Sequence, residues 1–416
     1  MVERSKCMNV PELRFKGFKQ EWDFCSVGDF YYFKNGLNKG KEFFGYGTPI
    51  VNFTDVFNNR GLTSDILKGR VSLSKKEISS FEVKKGDIFF TRTSETLEEI
   101  GYPSVMLDES NDTVFSGFVL RGRAINEDPL SDLFKKYVFF TNDFRKEMIR
   151  KSSMTTRALT SGTSIKKMEF YFPENKMEQE KIGIFHSIID KEIIFITTRI
   201  KLLKQVKAAS LQSMFPQEGE TVPKVSFKGF EGEWEEKSFS ALYKKSIIKN
   251  DLTFGTDKII SVANMYYLTN VNVSDLEYLK TYNIMKLGDI AFEGNKSKRF
   301  LHGRFVENTI GDGIVSHVFV VFHPISAEHD INYWKYAINN ENIMRNVLIR
   351  CTKSSTMMTD LVVDDFLKET ILVPTYAEQQ KIGAYFRNLD RQISLQTQRL
   401  EKLKQIKAAC LDKMFV

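Results

Sequence analysis

Two short polar stretches in this chain carry residue types that could bind a phosphate group or a base edge. Each follows a turn and a short predicted strand: Lys85-Gly-Asp87 leads to Arg92-Thr-Ser94, and Leu287-Gly-Asp289 leads to residues 294–299. Lysine and arginine neutralise phosphates, while hydroxyl and amide groups can hydrogen-bond to base edges. The turns match and the residues beyond the strands differ, which predicts that different ligands are read at equivalent places.

Two further runs, residues 152–157 and 353–356, correspond at an offset of about 202 residues and place small hydroxyls beside a basic residue. Phosphate binding or a simple turn would explain them equally well, and for any single residue a solvated loop is the alternative. The candidate contact residues are Arg60, Arg92, Thr93, Ser94 and Arg157 in the first half and Asn295, Lys296, Lys298, Arg299 and Lys353 in the second.

These stretches belong to an internal repeat that covers most of the chain. The segment Val10-Pro-Glu-Leu-Arg-Phe-Lys-Gly-Phe18 returns 212 residues later as Val222-Pro-Lys-Val-Ser-Phe-Lys-Gly-Phe230. The segment Gln179-Glu-Lys-Ile-Gly183 returns 200 residues later as Gln379-Gln-Lys-Ile-Gly383. Between these matching frames the two halves align only in short patches. Similar frames around dissimilar inserts indicate a protein that holds two specificities in equivalent positions.

The repeat divides the sequence into four parts. We expect a first recognition domain at residues 1–172, with a frame segment at 10–24, and a long helix at 173–216. A second recognition domain is expected at 217–373, with a frame segment at 222–236, and a second long helix at 374–416. The inserts contain short runs of β-branched and aromatic residues between turn signals, which are typical of strands. The predicted fold class is α+β, with two mixed, strand-rich globular domains.

The two predicted helices have the apolar spacing of a coiled coil. Apolar residues recur at intervals of three or four, and prolines stand at the ends of the segments and not inside them. Helices of about 40 residues, at ~1.5 Å per residue, would be roughly 60 Å long. The predicted helix–helix seam consists of Ile182, Phe185, Ile189, Ile196, Ile200 and Leu203 in the first helix and Ile382, Phe386, Leu389, Ile393, Leu400 and Leu403 in the second.

The connections between the parts predict how the helices pair. The linker from the first helix into the second half is short, about residues 216–221, and the second insert ends at Pro374, immediately before the second helix. Both ends of that insert are close together only if the helices run antiparallel. We therefore expect an antiparallel pair with one globular domain at each end and a pseudo-two-fold relation between the halves.

Amino-acid composition restricts the possible functions less than the repeated motifs do. The 416 residues are 42% hydrophobic and 27% charged, which is usual for a soluble globular protein. A net charge of +7 agrees with a polyanionic partner without establishing one. No apolar run approaches the ~20 residues of a membrane span, and the N-terminus lacks the apolar core of a signal peptide, so a cytoplasmic protein without a membrane partner is expected. The cysteines and histidines show no metal-binding spacing.

The repeated motifs resemble those of a known family. The Val-Pro-x-(Leu/Val)-x-Phe-Lys-Gly-Phe opening with its following tryptophan, and Gln-(Glu/Gln)-Lys-Ile-Gly before each long helix, look like the specificity subunit of type I restriction-modification enzymes. The resemblance covers essentially the whole chain. It implies that each insert is a target recognition domain that reads one half of a split DNA sequence. It also implies that the helices set the spacer between the half-sites and dock two methyltransferase subunits.

The same resemblance assigns the chemistry to partner chains. The methyltransferase subunits would carry S-adenosylmethionine and methylate adenine at N6. Restriction subunits, where they join the complex, would use ATP and magnesium to translocate DNA. This chain would bind double-stranded DNA, would hold no cofactor and would not be an enzyme.

The sequence itself lacks the motifs of such enzymes. An amino-methyltransferase needs an (Asn/Asp)-Pro-Pro-aromatic segment, and this sequence has no Pro-Pro pair. Phe43-Phe-Gly-Tyr-Gly47 matches a Phe-x-Gly-x-Gly cofactor pattern, but a strand-like stretch follows it instead of a helix, so a turn is expected there. No GxxxxGK(S/T) motif for ATP is present.

Two alternatives without methyltransferase partners stay open. One is a stand-alone DNA-binding protein, and the other is a coiled-coil adaptor that joins two protein ligands. The frame aromatics are expected to pack against the helices in every case: Phe18, Trp22, Phe230 and Trp234.

Overall fold

The computed structural model describes residues 9–269, 271, 275–298, 300–354 and 358–416. The chain forms two compact units, one of Met1–Thr197 with Arg399–Val416 and the other of Thr198–Gln398. Each of the two long helices contributes one part to each unit. The mixed α+β fold class predicted from the sequence is confirmed.

From residue 9 onward, the described part of the first unit contains thirteen strands and the start of the first long helix. Its strands are β1 Asp23–Ser26, β2 Tyr31–Asn35, β3 Phe44–Val51, β4 Gly61–Leu62, β5 Arg70–Val71, β6 Ile88–Thr91, β7 Thr93–Ser94, β8 Pro103–Met106, β9 Val114–Phe115, β10 Val119–Ala124, β11 Ser153–Met154, β12 Ala158–Leu159 and β13 Glu169–Phe172. Its helices are α1 Val27–Phe30, α2 Phe53–Asn58, α3 Lys75–Ser80, α4 Asp132–Val138, α5 Asn142–Lys151, α6 Gly162–Lys166 and the first part of α7 Lys176–Ser213.

The second unit repeats this order with fewer strands in its described residues. Its strands are β14 Glu235–Ser238, β15 Tyr243–Lys245, β16 Ile260–Ser261, β17 Tyr266–Tyr267, β18 Asn283–Met285, β19 Ile290–Glu293, β20 Arg304–Glu307, β21 Gly313–Val315, β22 Val320–Pro324, β23 Thr352–Ser354, β24 Thr359–Leu361 and β25 Thr370–Val373. Its helices are α8 Phe239–Leu242, α9 Ile331–Ala337, α10 Glu341–Cys351, α11 Val363–Lys368 and the first part of α12 Tyr376–Lys413.

The matched strands β6 and β19 lie inside the main sheet of each unit. The first sheet has the order β2-β10-β6-β8-β4, with β4 parallel to β8 and the other neighbours antiparallel. The second has the order β15-β22-β19-β20, all antiparallel. All residues of β6 and β19 are buried, because a hydrophobic cluster covers each face of the strand. The polar stretches that follow these strands therefore start from rigid positions.

The long helices α7 and α12 each contain 38 residues and run antiparallel within both units. In the first unit the start of α7 packs with the end of α12, where Ile182 shares a core cluster with Cys410 and Met414. Of the predicted seam residues, Ile182, Ile189, Ile196, Ile200, Ile382, Phe386, Leu389 and Leu400 are buried, and Phe185, Leu203, Ile393 and Leu403 are partly exposed.

A polar triad joins the two helices to the globular part of each unit. In the first unit Asp190 of α7 accepts a hydrogen bond from Tyr137 of α4 at 2.9 Å and pairs with Lys407 of α12. In the second unit Asp390 of α12 accepts from Tyr336 of α9 at 2.5 Å and pairs with Lys207 of α7. Burial raises the pKa of Asp390, but the bonds from Lys207 and Tyr336 outweigh burial and leave it below its usual value.

The repeated glutamine of the Gln-(Glu/Gln)-Lys-Ile-Gly motif anchors a second helix to each long helix. The side-chain oxygen of Gln179 accepts from the backbone N–H of Ser131, the N-cap of α4, at 2.6 Å. Gln379 does the same for Asp330, the N-cap of α9, at 3.3 Å. Each amide nitrogen also donates to the proline carbonyl just before the long helix. The motif thus connects the helix start to the module it carries.

The glycine of the same motif allows a close helix–helix contact. A Cβ atom at Gly183 would lie 2.5 Å from Leu133 Cβ, and one at Gly383 would lie 2.7 Å from the Tyr333 backbone nitrogen. Both distances are below what a carbon–carbon or carbon–nitrogen contact tolerates, so α4 and α9 can lie this close only against glycine.

The frame aromatics also pack against the helix ends. Trp22 is buried and meets the ring of Phe415 edge-on at 6.1 Å, and Trp234 meets Phe215 at 5.9 Å. Phe18 lies 5.1 Å from the Lys181 ammonium, measured to the ring centroid. None of the described helices has the length and apolar character that crossing a lipid bilayer requires.

Replacing Gly383 by alanine is expected to destabilise the second unit, although this change stabilises an ordinary helix interior by about 1 kcal/mol. The new methyl group meets α9 backbone, so the free energy of unfolding should fall by about 1–3 kcal/mol in urea denaturation. Asn388→Ala, at an exposed site of the same helix, is the matched control and should be neutral or slightly stabilising. A stabilised Gly383→Ala protein would contradict the close contact.

His186 corresponds to Phe386 in the second half of the repeat. Replacing His186 by phenylalanine is expected to weaken the pH dependence of stability. His186 is fully buried beside Tyr137 and Phe415, and burial lowers its pKa to about 4 from 6.5. As pH falls from 6.5 to 4, His186 therefore takes up a proton in the unfolded chain but not in the folded chain. Over that pH range this single histidine lowers the free energy of unfolding by as much as about 3 kcal/mol. The His186→Phe variant should not show this loss.

Denaturation midpoints at closely spaced pH values test this expectation. The two proteins should differ least at neutral pH and increasingly towards acid, with the variant the more stable. Parallel curves for the two proteins would mean that His186 takes up its proton without unfolding.

Candidate nucleic-acid interface

The structure brings two of the sequence-predicted stretches of the first unit together in one small sheet. Strand β7, which contains Thr93 and Ser94, pairs with β12, and β12 pairs with β11 in the run 152–157. The backbone of Arg92 continues this arrangement, since its carbonyl accepts from Thr160 N–H at 3.1 Å. The hairpin of β11 and β12 therefore lies beside the polar stretch that follows the buried strand β6.

The side chains of this sheet present hydroxyls and a guanidinium to solvent. Residues 153–157 are exposed, and the Arg157 guanidinium lies 3.0 Å from the Glu95 carboxylate, with more than half of each side chain accessible. Thr93 is half-buried, whereas Ser94 is buried and its hydroxyl accepts from Thr96 N–H at 3.3 Å. Thr93 and Arg157 are thus the better placed for an external ligand, and Ser94 shapes the turn.

The second unit builds the same arrangement from different residues. Its hairpin is β23 and β24, and Thr359 N–H donates to the carbonyl of Gly294 at 2.8 Å. Asn295 forms an antiparallel bridge with Met358, and the Lys296 ammonium donates to the Ser354 hydroxyl. The polar stretch after the second buried strand thus again lies beside a hairpin.

This surface of the second unit is strongly basic. Asn295, Lys296, Lys298 and Lys353 are all exposed. Arg299, the remaining predicted contact, lies outside the described residues, as do Ser355 and Thr356 of the predicted hydroxyl run. Three lysine ammonium groups with an amide and hydroxyls form a surface that suits phosphates and base edges.

A basic cleft next to Arg92 adds to the surface of the first unit. It has a volume of about 250 Å³, and Lys34 of β2, Arg92 and Lys166 of α6 line it together with hydroxyl and amide groups. Burial, followed by the charges of Arg121 and Arg123, lowers the pKa of Lys34. The Lys34 ammonium itself donates to the Ser80 carbonyl and lies over the ring of Phe81, so Arg92 and Lys166 are the cationic residues available to an anionic group in this cleft.

Arg60 takes no part in this surface. Its guanidinium carbon lies 3.0 Å from the ring centroid of Phe140 and 5.9 Å from that of Tyr102. Burial lowers the pKa of Arg60 to about 10, and Asp190 on α7 partly opposes that shift. The structure therefore assigns Arg60 to packing between aromatic rings, where such a contact contributes on the order of 1 kcal/mol.

Sequence reasoning missed Lys34 and Lys166. Lys34 stands in the ordinary strand sequence of β2, and Lys166 ends the short helix α6. Both residues line the cleft because β2 pairs with β10 and α6 packs on β2, which are long-range contacts that no local motif encodes.

The turn expected at Phe43-Phe-Gly-Tyr-Gly47 is not what the structure has: Phe43 ends a 3-10 helix, and residues 44–47 lie in strand β3, with an irregular register between Phe44 and Thr48 and positive φ at Gly45 and Gly47. Within the described ranges, no group of three or more histidine, cysteine or carboxylate side chains could hold a metal ion.

Comparisons with known proteins agree with the motifs. Residues 231–405 match the family model described as type I restriction modification DNA specificity domain. The chain is similar to the crystal structure of the type I restriction-modification system S subunit from M. genitalium, with 14% identity, a TM-score of 0.60 and coverage of 98% of this chain and 99% of that chain. It also matches the HsdS subunit from Thermoanaerobacter tengcongensis, with 13% identity, a TM-score of 0.47 and coverage of 95% and 96%.

None of the curated proteins matches this chain. At 14% identity the likeness to the M. genitalium subunit shows the fold, and the family match concerns the second half of the chain. The family match confirms, for residues 231–405, the resemblance that the repeated motifs predicted.

Arg92→Ala is expected to weaken binding of the protein to duplex DNA and to reduce its salt dependence. Loss of one phosphate contact should lower the slope of log K against log salt by about 0.9. Fluorescence anisotropy at several salt concentrations measures both quantities. Lys146→Ala, at an exposed lysine of α5 that pairs with Asp143, is the matched control. Equal slopes for the wild type and both variants would show that the cleft does not contact DNA.

Proposed function

We propose that this chain, whose residues 231–405 match the family model described as type I restriction modification DNA specificity domain, is the DNA-reading subunit of a type I restriction-modification complex. Each unit would read one half of a split DNA sequence, and the chain would catalyse no reaction itself. The observation that carries the proposal is the repeated surface: in both units a hairpin lies beside the polar stretch after a buried strand, with different side chains in each.

A repeated framework with different contact residues suits the reading of an asymmetric site. Identical surfaces would read two copies of one sequence, as symmetric dimers do. Here the first unit offers Thr93, Arg157 and the Arg92 cleft, while the second offers Asn295 and a cluster of lysines. Lysine and arginine would supply phosphate contacts, and the hydroxyl and amide groups would discriminate base edges.

The long helices would set the spacer between the two half-sites. Each contains 38 residues and contributes to both units, which supports this role. The intervening base pairs would then go unread.

An apolar stripe on α7 supports docking of partner subunits. In the first unit Met177, Ile184, Ile188 and Phe195 are exposed and recur at intervals of seven or four residues, which places them on one helix face. They lie apart from the buried residues Ile182 and Ile189. An exposed apolar helix face of this kind is typical of a surface that binds another protein.

The partners proposed from the family resemblance are two methyltransferase subunits, which carry S-adenosylmethionine, and restriction subunits, which use ATP and magnesium. This chain would hold none of these cofactors.

Exchange of residues 25–172 for the corresponding insert of another such subunit should change one half of the recognised DNA sequence and leave the other half unchanged. The reason is that the contact residues of each unit lie within its own insert. Long-read sequencing of methylated adenines, in cells that also express the methyltransferase subunit, reads out both halves. The reciprocal exchange of residues 237–373 is the matched control and should change only the other half. A change of both halves in either exchange would contradict independent reading.

A further inference from the structure

A turn at the start of β10 presents one large apolar side chain to solvent. Phe118 is 59% exposed, whereas every other residue of the run 113–122 is buried. The N–H of Val119 donates to the carbonyl of Ser116 at 3.0 Å and closes the turn. The exposed ring of Phe118 is therefore attached to a backbone that hydrogen bonds hold in place.

Phe118 lies opposite Arg92, where the polar stretch of the first unit begins. The Arg92 N–H donates to the Phe118 carbonyl at 3.0 Å, which continues the register in which Val119 lies opposite Thr91. The Arg92 carbonyl in turn accepts from the Thr160 N–H at 3.1 Å. The backbone of Arg92 thus joins the turn to the hairpin, and Phe118 belongs to the candidate interface.

The second unit has the same turn at the same place. The N–H of Phe319 donates to the carbonyl of Ser316, also at 3.0 Å. The register of β19 with β22, continued by two residues, places Val318 opposite Gly294, the first residue of the second polar stretch. Val318 is 57% exposed and is the counterpart of Phe118.

The repeat of this exposure in both units is the informative observation. A single exposed apolar side chain is common on protein surfaces and needs no function. Here, however, the two inserts differ on either side of the turn, with Gly117 against His317 and Arg92 against Gly294, and both keep an exposed apolar residue at the same position. Because these side chains add little to the core, we infer that they contact a ligand.

The chemistry of the DNA grooves indicates which group an apolar side chain would contact. In the major groove the thymine 5-methyl group is the apolar feature of a base edge, and phenylalanine is among the side chains that contact it. Insertion between stacked bases is the other use of apolar side chains on DNA, and it needs a long residue. Val318 is too short to separate two bases, so a contact with a base edge accounts for both units.

We propose that Phe118 in the first unit and Val318 in the second each contact the 5-methyl group of a thymine in the half-site that their unit reads. This inference rests on the proposed DNA-reading function. The contact would remove two apolar surfaces from water, which stabilises the complex only where a methyl group is present. Hydroxyl and amide groups alone would not provide this discrimination.

Duplexes that carry the split motif found by methylation mapping test the proposal, with each thymine replaced in turn by deoxyuridine. Deoxyuridine keeps the base pair and lacks only the 5-methyl group. Fluorescence anisotropy of the full-length protein with its methyltransferase partner should show about fourfold weaker binding for one thymine in each half.

Substitutions of the two residues should remove this sensitivity one half at a time. Phe118→Ala should bind the unmodified duplex at least fourfold more weakly and should lose the effect of deoxyuridine in one half only. Val318→Ala should lose it in the other half only. The sensitivity that each variant keeps shows that the variant is folded. Ile125→Ala, at a 51% exposed residue that follows the other end of β10, is the matched control and should behave as the wild type.

Two results would overturn the proposal and leave the DNA-reading function standing. One is a wild-type protein that distinguishes the motif from unrelated duplexes but responds to no deoxyuridine. The other is an effect of deoxyuridine that persists in both Phe118→Ala and Val318→Ala. Equal binding of the motif and unrelated duplexes would instead overturn both the contact and the function on which it rests.

Discussion

A half-buried aspartate on each long helix sets the register on which the rest of the structure depends. Asp190 binds Tyr137 of its module and Lys407 of the other helix, and Asp390 binds Tyr336 and Lys207 in the same way. Aspartate and lysine lie 200 residues from their repeats, so the same triad recurs within each unit. Slippage of the helices would leave two carboxylates and two ammonium groups partly buried and unpaired, which is more costly than the loss of apolar contact alone.

On this common support the two units place different residues at equivalent positions. The glutamine and glycine of the repeated motif bring α4 and α9 onto the long helices, and those helices cover the sheets that contain β6 and β19. Apart from Ser94, Ala158, Gly294 and Thr359, the described residues of the polar stretches and hairpins beyond these strands are exposed or half-buried, so their sequences are freer to differ than the core.

Much of the fold could be predicted from the sequence, because its strongest signals are periodic or repeated. The apolar spacing predicted both long helices, and the matched turns at Asp87 and Asp289 predicted the strands that lead to the polar stretches. The meeting of each polar stretch with a hairpin could not be predicted, since it depends on contacts between residues about 60 positions apart. For the same reason Arg60 was assigned to the ligand surface, although Phe140 and Tyr102 hold it in the interior, and Lys166 was overlooked.

The central claim is that this chain directs adenine methylation to one split DNA sequence. Long-read mapping of methylated adenines in the host genome, with and without this gene, tests it most directly. The account predicts that methylation is lost at a single motif made of two specified halves and an unspecified spacer, and that other methylated motifs stay unchanged. Unchanged methylation everywhere, with the methyltransferase partners shown to be expressed, would contradict it and favour a stand-alone DNA-binding or adaptor protein.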